Sequence, residues 1–380
     1  MENRNQCIRI LQVVDRLEWN SGVSSVVMNY YNHIDTSEVI FDFLTHGKTD
    51  EQTRNQIEQK GSRIYEMPSL TAGNMPTYYR SLEAFYKEHA KDYPIIHGHI
   101  PNAAWFYLGL AKKYQVPVRI LHSHSSIAAE KPLRSIRNKI LISFGKRKAN
   151  QYFACSKVAA QYMFGDRAVA SGKVKIIYNA IDVERFAYKP EERNAVREEL
   201  GLSDNYVVGH VGRFTTNKNQ GFLVDLLKEI KDESVVLVLV GAGETQEAVK
   251  QKVTEVGLEK RVRFLGIRSD VERILQAMDV FLLPSYHEGL PVSCVEAQVS
   301  GLKCLISNRV TKETDITNQC EFLDIQDKQA WIDCLRKQIE EGSGAERITG
   351  ISERFDIRKE SKQLIRLYQN LLGYRSGKDE

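Results

Sequence analysis

Short apolar runs recur along the chain. In the first half they fall at residues 8–14, 40–45, 63–67, 95–100, 116–121, 151–154 and 174–178. In the second half they fall at 206–211, 235–240, 262–265, 280–283, 304–307 and 321–324. Many are near-continuous in Val, Ile, Leu and Phe, the pattern of strands covered on both faces. Helical segments separate them, and that alternation predicts parallel sheets with crossover connections. Two series of six or seven strands predict two doubly wound α/β domains rather than one very wide sheet. Residues 183–204 lie between the series, are charge-rich, and read as a linker plus a surface helix. The tail, 357–372, reads as an amphipathic helix with Leu364, Ile365, Tyr368, Leu371 and Leu372 on one side.

Composition narrows the class. A chain of 380 residues is long for one domain and comfortable for two. With 42% hydrophobic and 27% charged residues it is globular, and a net charge of +4 is too mild to imply nucleic acid. The six cysteines are scattered, without a CxxC pair, so neither a zinc site nor a disulfide framework is indicated. That usage fits a reducing cytosol. The N-terminus lacks the apolar core of a signal peptide, and no apolar run approaches the ~20 residues needed to cross a bilayer. The expectation is a cytoplasmic protein whose membrane contact, if any, is peripheral.

In open α/β sheets ligands bind beyond the carboxyl ends of the strands, so chemistry is sought there. The run at 280–283 ends in Pro284-Ser285 and is followed by Glu288, Gly289, Leu290 and Pro291. Proline suits a helix start, residues 292–300 contain no breaker, and Gly301 suits a helix stop. The stretch reads strand, loop, helix, stop. A helix start attracts anions. Glu288 and Glu296 bracket it, with seven residues between them. An anion site flanked by two carboxylates suits a nucleotide sugar. A plain helix N-terminus with a stabilising acid and an ordinary surface Glu fits the same residues.

Other strand ends carry further candidates. Gly212, Arg213 and Lys218 follow the first strand of the second domain. Glycine allows close backbone approach, and two cations would neutralise a diphosphate without a metal. A basic solvent loop is the alternative. Gly241-Ala-Gly243 follows the next strand, a turn suited to an approaching nucleotide. Ser21-Gly22 opens a helix after the first strand but lacks dinucleotide-site spacing. His97, His99, His122 and His124 lie at two consecutive strand ends. No carboxylate or cysteine completes an obvious zinc set with them, so a single histidine contacting substrate hydroxyls is the better reading, with at least two of the four structural. No Asp-x-Asp pair, the usual holder of a divalent ion beside a sugar diphosphate, is present. Residues 131–148 carry Lys131, Arg134, Arg137, Lys139, Lys146, Arg147 and Lys148 with no acid, interleaved with Leu133, Ile136, Ile140, Leu141 and Phe144. That is a basic amphipathic helix, suited to an anionic membrane surface or to a core-facing apolar side.

Together these motifs resemble glycosyltransferase family 4, retaining nucleotide-sugar transferases with the GT-B fold of two Rossmann-like domains facing a central cleft. The resemblance spans nearly the whole chain and rests on Glu288 with Glu296, Gly212-Arg213 with Lys218, Asn179-Ala-Ile-Asp182, residues 277–285 and the His122-Ser-His124 motif. The last is most like enzymes of capsule and exopolysaccharide assembly. The resemblance implies an acceptor-side domain at 1–186, a donor domain at 187–354 and a helix at 355–380 crossing back to the first domain. It implies that Glu296 accepts hydrogen bonds from ribose and that the Gly289 and Leu290 amides receive phosphate. Glu288 would touch the donor sugar, and Arg213 and Lys218 would stabilise the leaving diphosphate. His122 or His124, with His124 preferred, would contact sugar or acceptor. The implied reaction is metal- and cofactor-free transfer of a hexose from a nucleotide sugar, UDP-sugars favoured, to a lipid-linked or oligosaccharide acceptor. The alternatives are an epimerase of the same fold and a non-enzymic membrane partner. One glycine near residue 22, Lys303 in place of proline and Asn308-Arg-Val in place of a glycine pair depart from the family pattern. They bear on donor identity rather than fold.

Overall fold

The computed structural model describes residues 7–17, 22–71, 73–125, 132–342, 347 and 353–374, with the side chains of 132–135 not included. The chain divides into two compact units: Met1–Ala180 with Ile357–Glu380, and Ile181–Asp356. The division falls at Ala180/Ile181, earlier than residue 186. Its reason is local. Ile181 pairs with Asp356 in a parallel bridge, so the chain enters and leaves the second unit at one place. Ile181 N–H donates to Phe355 O at 2.9 Å.

Unit 1 holds β1 (Ile8–Val14), β2 (Val39–Thr45), β3 (Ile64–Glu66), β4 (Ile95–Gly98), β5 (Val118–Ser123), β6 (Gln151–Ala154) and β7 (Val174–Ile176). They form one parallel sheet in the order β3-β2-β1-β4-β5-β6-β7. Unit 2 holds β8 (Tyr206–Val211), β9 (Val235–Val240), β10 (Val262–Gly266), β11 (Val280–Leu283), β12 (Lys303–Ser307) and β13 (Glu321–Leu323). Their order is β10-β9-β8-β11-β12-β13, again all parallel. Every strand read from the sequence is present. Both sheets reverse direction beside their first strand, the switch point where open α/β sheets bind ligands.

β9 shows why these runs become central strands. All six of its residues are buried aliphatics, each contributing about 1.5–3 kcal/mol on burial. Polar groups inside the sheets are paired. Asp42 on β2 is fully buried, accepts two bonds from Arg9 at 2.8 Å, and accepts from Tyr93 Oη at 2.8 Å.

The segment read as a linker and surface helix is integral to unit 2. Arg193 and Arg197, on the helix Pro190–Glu199, are 6% and 5% exposed. They pair with Asp279 at 2.5 and 3.2 Å, and Asp279 also accepts from Val207 N–H at 2.7 Å. One buried acid thus ties that helix to β8 and to the start of β11. The last helix, Ile357–Leu371, packs against the helix Gly22–His33 within unit 1.

Candidate functional site

β8 and β11 are neighbours at the reversal of the unit 2 sheet, so the loops leaving them run side by side. Three consecutive residues of the first loop hold the second. Asn217 accepts from His287 N–H at Oδ1 (3.0 Å) and donates from Nδ2 to His287 O (2.8 Å), and its carbonyl accepts from Tyr286 N–H (2.9 Å). Asn219 donates from Nδ2 to Pro284 O at 3.4 Å. Between them, Lys218 Nζ lies 2.7 Å from Glu288 Oε1, with the two side chains 17% and 15% exposed. Asn219 adopts φ +56, which turns the chain from the short Thr216–Lys218 helix into the helix Gln220–Glu229. Asparagine tolerates that left-handed conformation.

The glycines beneath serve close packing. A Cβ on Gly241, whose φ is +126, would lie 2.2 Å from Gly212 O. One on Gly243 would lie 2.2 Å from Phe214 O. The turns after β8 and β9 therefore meet backbone to backbone, and Phe214 N–H donates to Ala242 O at 3.0 Å. Gly212 leaves room for His210 Nε2 (3.1 Å) and the Lys218 methylenes (3.4 Å). His210 is buried, its Nδ1 donates to Leu282 O at 2.8 Å, and burial pushes its pKa down to about 4. It buttresses the loops as a neutral ring.

The two cations of the basic loop meet different acids. Lys218 engages Glu288, whereas Arg213 is exposed, 3.6 Å from Glu244. Gly289, Leu290 and Pro291 are buried at the start of the helix Val292–Val299. Glu296 on that helix is partly buried, and burial pushes its carboxyl up to about 7 against the opposing charge of Arg185. Arg185 itself bonds Glu272 at 2.8 Å. Sequence reasoning did not single out Asn217, Arg185 or Glu272. For Asn217 the available signal was its place in the Asn-Lys-Asn run. Arg185 lies just past the Asn179–Asp182 motif, and nothing local marks Glu272.

In unit 1 the four histidines come together with two residues not singled out, Gln12 of β1 and Tyr368 of the last helix. His97 Nδ1 is 2.7 Å from Tyr368 Oη, and His97 Nε2 is 3.0 Å from His122 Nδ1. His99 Nε2 is 2.9 Å from Gln12 Oε1, and His99 Nδ1 is 2.8 Å from His124 Nε2. His97 and His122 lie inside β4 and β5, because β5 begins at Val118 and extends through Ser123. Burial pushes the pKa of His97, His99 and His122 well below the ordinary value, and that of His124 to about 4. Among the described residues His97, His99 and His122 are the one group with spacing for a metal, their ligand atoms within 4.8 Å of one another. Hydrogen bonds already join their ring nitrogens, His122 Nε2 excepted, to neighbouring rings, Tyr368 and Gln12. Gly22 opens its helix, and among the described residues nothing lies within 4 Å of a Cβ placed there.

The basic segment forms the helix Pro132–Lys146; Lys131 and the Arg134 side chain lie outside the described residues. Three of its apolar residues face outward, with Ile136 58%, Ile140 53% and Phe144 43% exposed. Trp105, 39% exposed, packs edge-on against Phe144 at 5.4 Å, and Lys148 Nζ lies 4.2 Å over its ring. Arg137, Lys139 and Arg147 are exposed. Lys146 departs from the expected outward face: its Nζ donates to Met163 O at 2.9 Å. That carbonyl belongs to the helix Lys157–Phe164. Among the described residues no helix is long and apolar enough to cross a membrane.

This geometry coincides with known proteins. The profile "Glycosyl transferases group 1" matches residues 192–349, and "Glycosyltransferase Family 4" matches 20–185. The putative glycosyltransferase EpsF of Bacillus subtilis is 31% identical over 81% of each chain. The UDP-Gal:alpha-D-GlcNAc-diphosphoundecaprenol alpha-1,3-galactosyltransferase of Escherichia coli is 28% identical over 67% of this chain and 69% of its own. The crystal structure of Anabaena Alr3699/HepE with UDP-glucose superposes with a TM-score of 0.79 at 20% identity, covering 96% of this chain and 100% of that one. The chain belongs to the group 1 glycosyltransferases. It is an enzyme of glycosyl transfer, and its two Rossmann-like units are those of the GT-B fold.

The buried histidines set an acid limit on stability. His46, His124 and His210 have pKa values near 4, and His97, His99 and His122 are also lowered. Their stabilisation is complete above about pH 6.5, where unfolded histidine is also neutral, and is lost as pH falls towards 4. Each costs up to about 1.4 kcal/mol per pH unit in that window. Glu296 and Glu360, pushed up to about 7, act in the opposite sense, but they are two against six. Calorimetry should show Tm falling steeply from pH 6.5 to 5. A flat or rising Tm there would contradict the neutral network.

Proposed function

We propose that the protein is a retaining, metal-independent hexosyltransferase of capsule or exopolysaccharide assembly. It moves a hexose from a nucleotide sugar, a UDP-sugar in the first instance, to a lipid-linked or oligosaccharide hydroxyl. The observation that carries this is the Lys218–Glu288 pair, held at the switch point of unit 2 by Asn217 and Asn219. A cation beside a carboxylate at the end of a strand suits a ligand with a diphosphate and a sugar side by side. Lys218 and Arg213 stabilise the diphosphate as charge develops on it. Glu288 receives a sugar hydroxyl, and Glu296 receives the ribose hydroxyls on its carboxyl oxygens. The acceptor oxygen bonds to the anomeric carbon as the bond to the diphosphate oxygen breaks, both on one face. The acceptor proton passes to the departing phosphate oxygen. The names of two similar proteins support the substrates: the Escherichia coli relative is named for UDP-Gal and a diphosphoundecaprenol-linked sugar, and the Anabaena structure holds UDP-glucose.

The enzyme works from the cytoplasmic side, docked peripherally on the anionic inner face of the cell membrane. Ile136, Ile140, Phe144 and Trp105 enter the headgroup layer while Arg137, Lys139 and Arg147 meet lipid phosphates, each basic group contributing about 1 kcal/mol.

Lys218→Ala and Glu288→Ala should each lower transfer from the preferred UDP-sugar by about 10²–10³, the scale of a lost transition-state charge partner. The far-ultraviolet circular dichroism of both variants should match the parent. Full activity in either folded variant would sink the assignment. For docking, co-sedimentation with phosphatidylglycerol-containing vesicles should weaken at least tenfold in Ile136→Asp/Phe144→Asp and with added salt. Equal binding to neutral phosphatidylcholine vesicles would contradict it.

A further inference from the structure

The histidine cluster of unit 1 has a property that appears only when its protons are counted. A neutral imidazole carries one N–H and one lone pair, and burial keeps all four rings neutral. The Gln12 carbonyl oxygen only accepts, so the 2.9 Å contact requires the proton of His99 on Nε2. His99 Nδ1 is then a lone pair, and His124 must donate to it from Nε2 across 2.8 Å. The other end of the same amide donates from Nε2 to Tyr368 Oη at 3.4 Å. The buried tyrosine hydrogen cannot be accepted by that amide nitrogen and is satisfied by His97 Nδ1 at 2.7 Å. His97 then carries its proton on Nε2 and donates to His122 Nδ1 at 3.0 Å. His122 in turn carries its proton on Nε2.

We infer that Gln12 and Tyr368 are positioning residues that lock His97, His99, His122 and His124 into one common tautomer, with the proton on Nε2. Reversing the amide would move every proton the other way and give four Nδ1–H rings; a mixture would leave the buried Tyr368 hydrogen or a ring N–H facing another donor or no acceptor. Two ring atoms remain, His122 Nε2 and His124 Nδ1, each buried and without a hydrogen-bond partner among the described residues. In the locked state the first is an N–H donor and the second a lone-pair acceptor. A hydroxyl both accepts and donates, so this pair matches a hydroxyl, whereas two acceptors or two donors would not. That last consequence rests on the transfer reaction proposed above; the tautomers do not. Gln12 is 1% exposed and Tyr368 fully buried, so water does not compete for their bonds.

The test is histidine-selective 15N labelling of the full chain, with the nine signals assigned by single substitutions and tautomers read from the separate shifts of protonated and unprotonated nitrogens. The expected spectrum at pH 7.5 shows Nε2–H for all four rings, unchanged by a chelator. In Tyr368→Phe, which keeps the ring, His97 and His122 should lose the single tautomer and show averaged shifts. Mixed tautomers in the parent protein overturn the coupling, and four Nδ1–H rings overturn the donor and acceptor assignment. Shifts that move on chelation identify a metal site instead. Unaltered His97 and His122 shifts in folded Tyr368→Phe remove the role of Tyr368. A parent enzyme with the expected spectrum but no transfer would fault the proposed reaction alone.

Discussion

Lys218 and Glu288 lie 2.7 Å apart, about one-sixth exposed, on two loops that the chain separates by 70 residues. Each charge is steadied by the other, and at this partial exposure the pair is only partly screened by water. Several features of unit 2 bring the two loops to this contact. The sheet order places β8 against β11. Glycines at 212, 241 and 243 let neighbouring turns touch at the backbone. Asn217 bonds both backbone groups of His287, as a strand neighbour would. Under the proposed reaction, a ligand phosphate reaching Lys218 would find a cation already held in place by Glu288.

Unit 1 meets the same constraint with neutral groups. At its own switch point, between β1 and β4, stand Gln12 and four uncharged histidines. Burying charge there would need counter-ions; burying imidazoles needs only that each N–H meets a lone pair. The last helix returns to this unit and supplies Tyr368, which completes the chain of bonds. One unit thus presents fixed charge and the other fixed hydrogen-bond polarity.

The fold was largely legible because near-continuous aliphatic runs have few alternatives to buried parallel strands, and β9 is the plainest case. Where reading failed, a polar residue was buried against a distant partner. His122 and Ser123 belong to β5, yet the apolar run stops before them, since their bonds come from His97 and from Ala159 O. Arg193 and Arg197 look like surface charges until Asp279, some 80 residues on, is placed beside them. For the helix Pro132–Lys146 the sequence left an outward and a core-facing apolar side open, and Ile136, Ile140 and Phe144 are exposed. For the site, Glu288, Glu296 and Lys218 were legible as candidates from their places after strands. Asn217 was not, because its role is to bond another loop's backbone, and Gln12 and Tyr368 were hidden because their partners are side chains far away in the sequence.

The claim at the centre of this account is that the loops after β8 and β11 together receive the donor diphosphate. Amide hydrogen exchange of the full-length enzyme, with and without saturating UDP, tests it most directly. The account predicts slowed exchange in residues 212–219 and 285–293, with little change elsewhere in unit 2. Binding of UDP that leaves both segments unprotected, or protects only one of them, would contradict it.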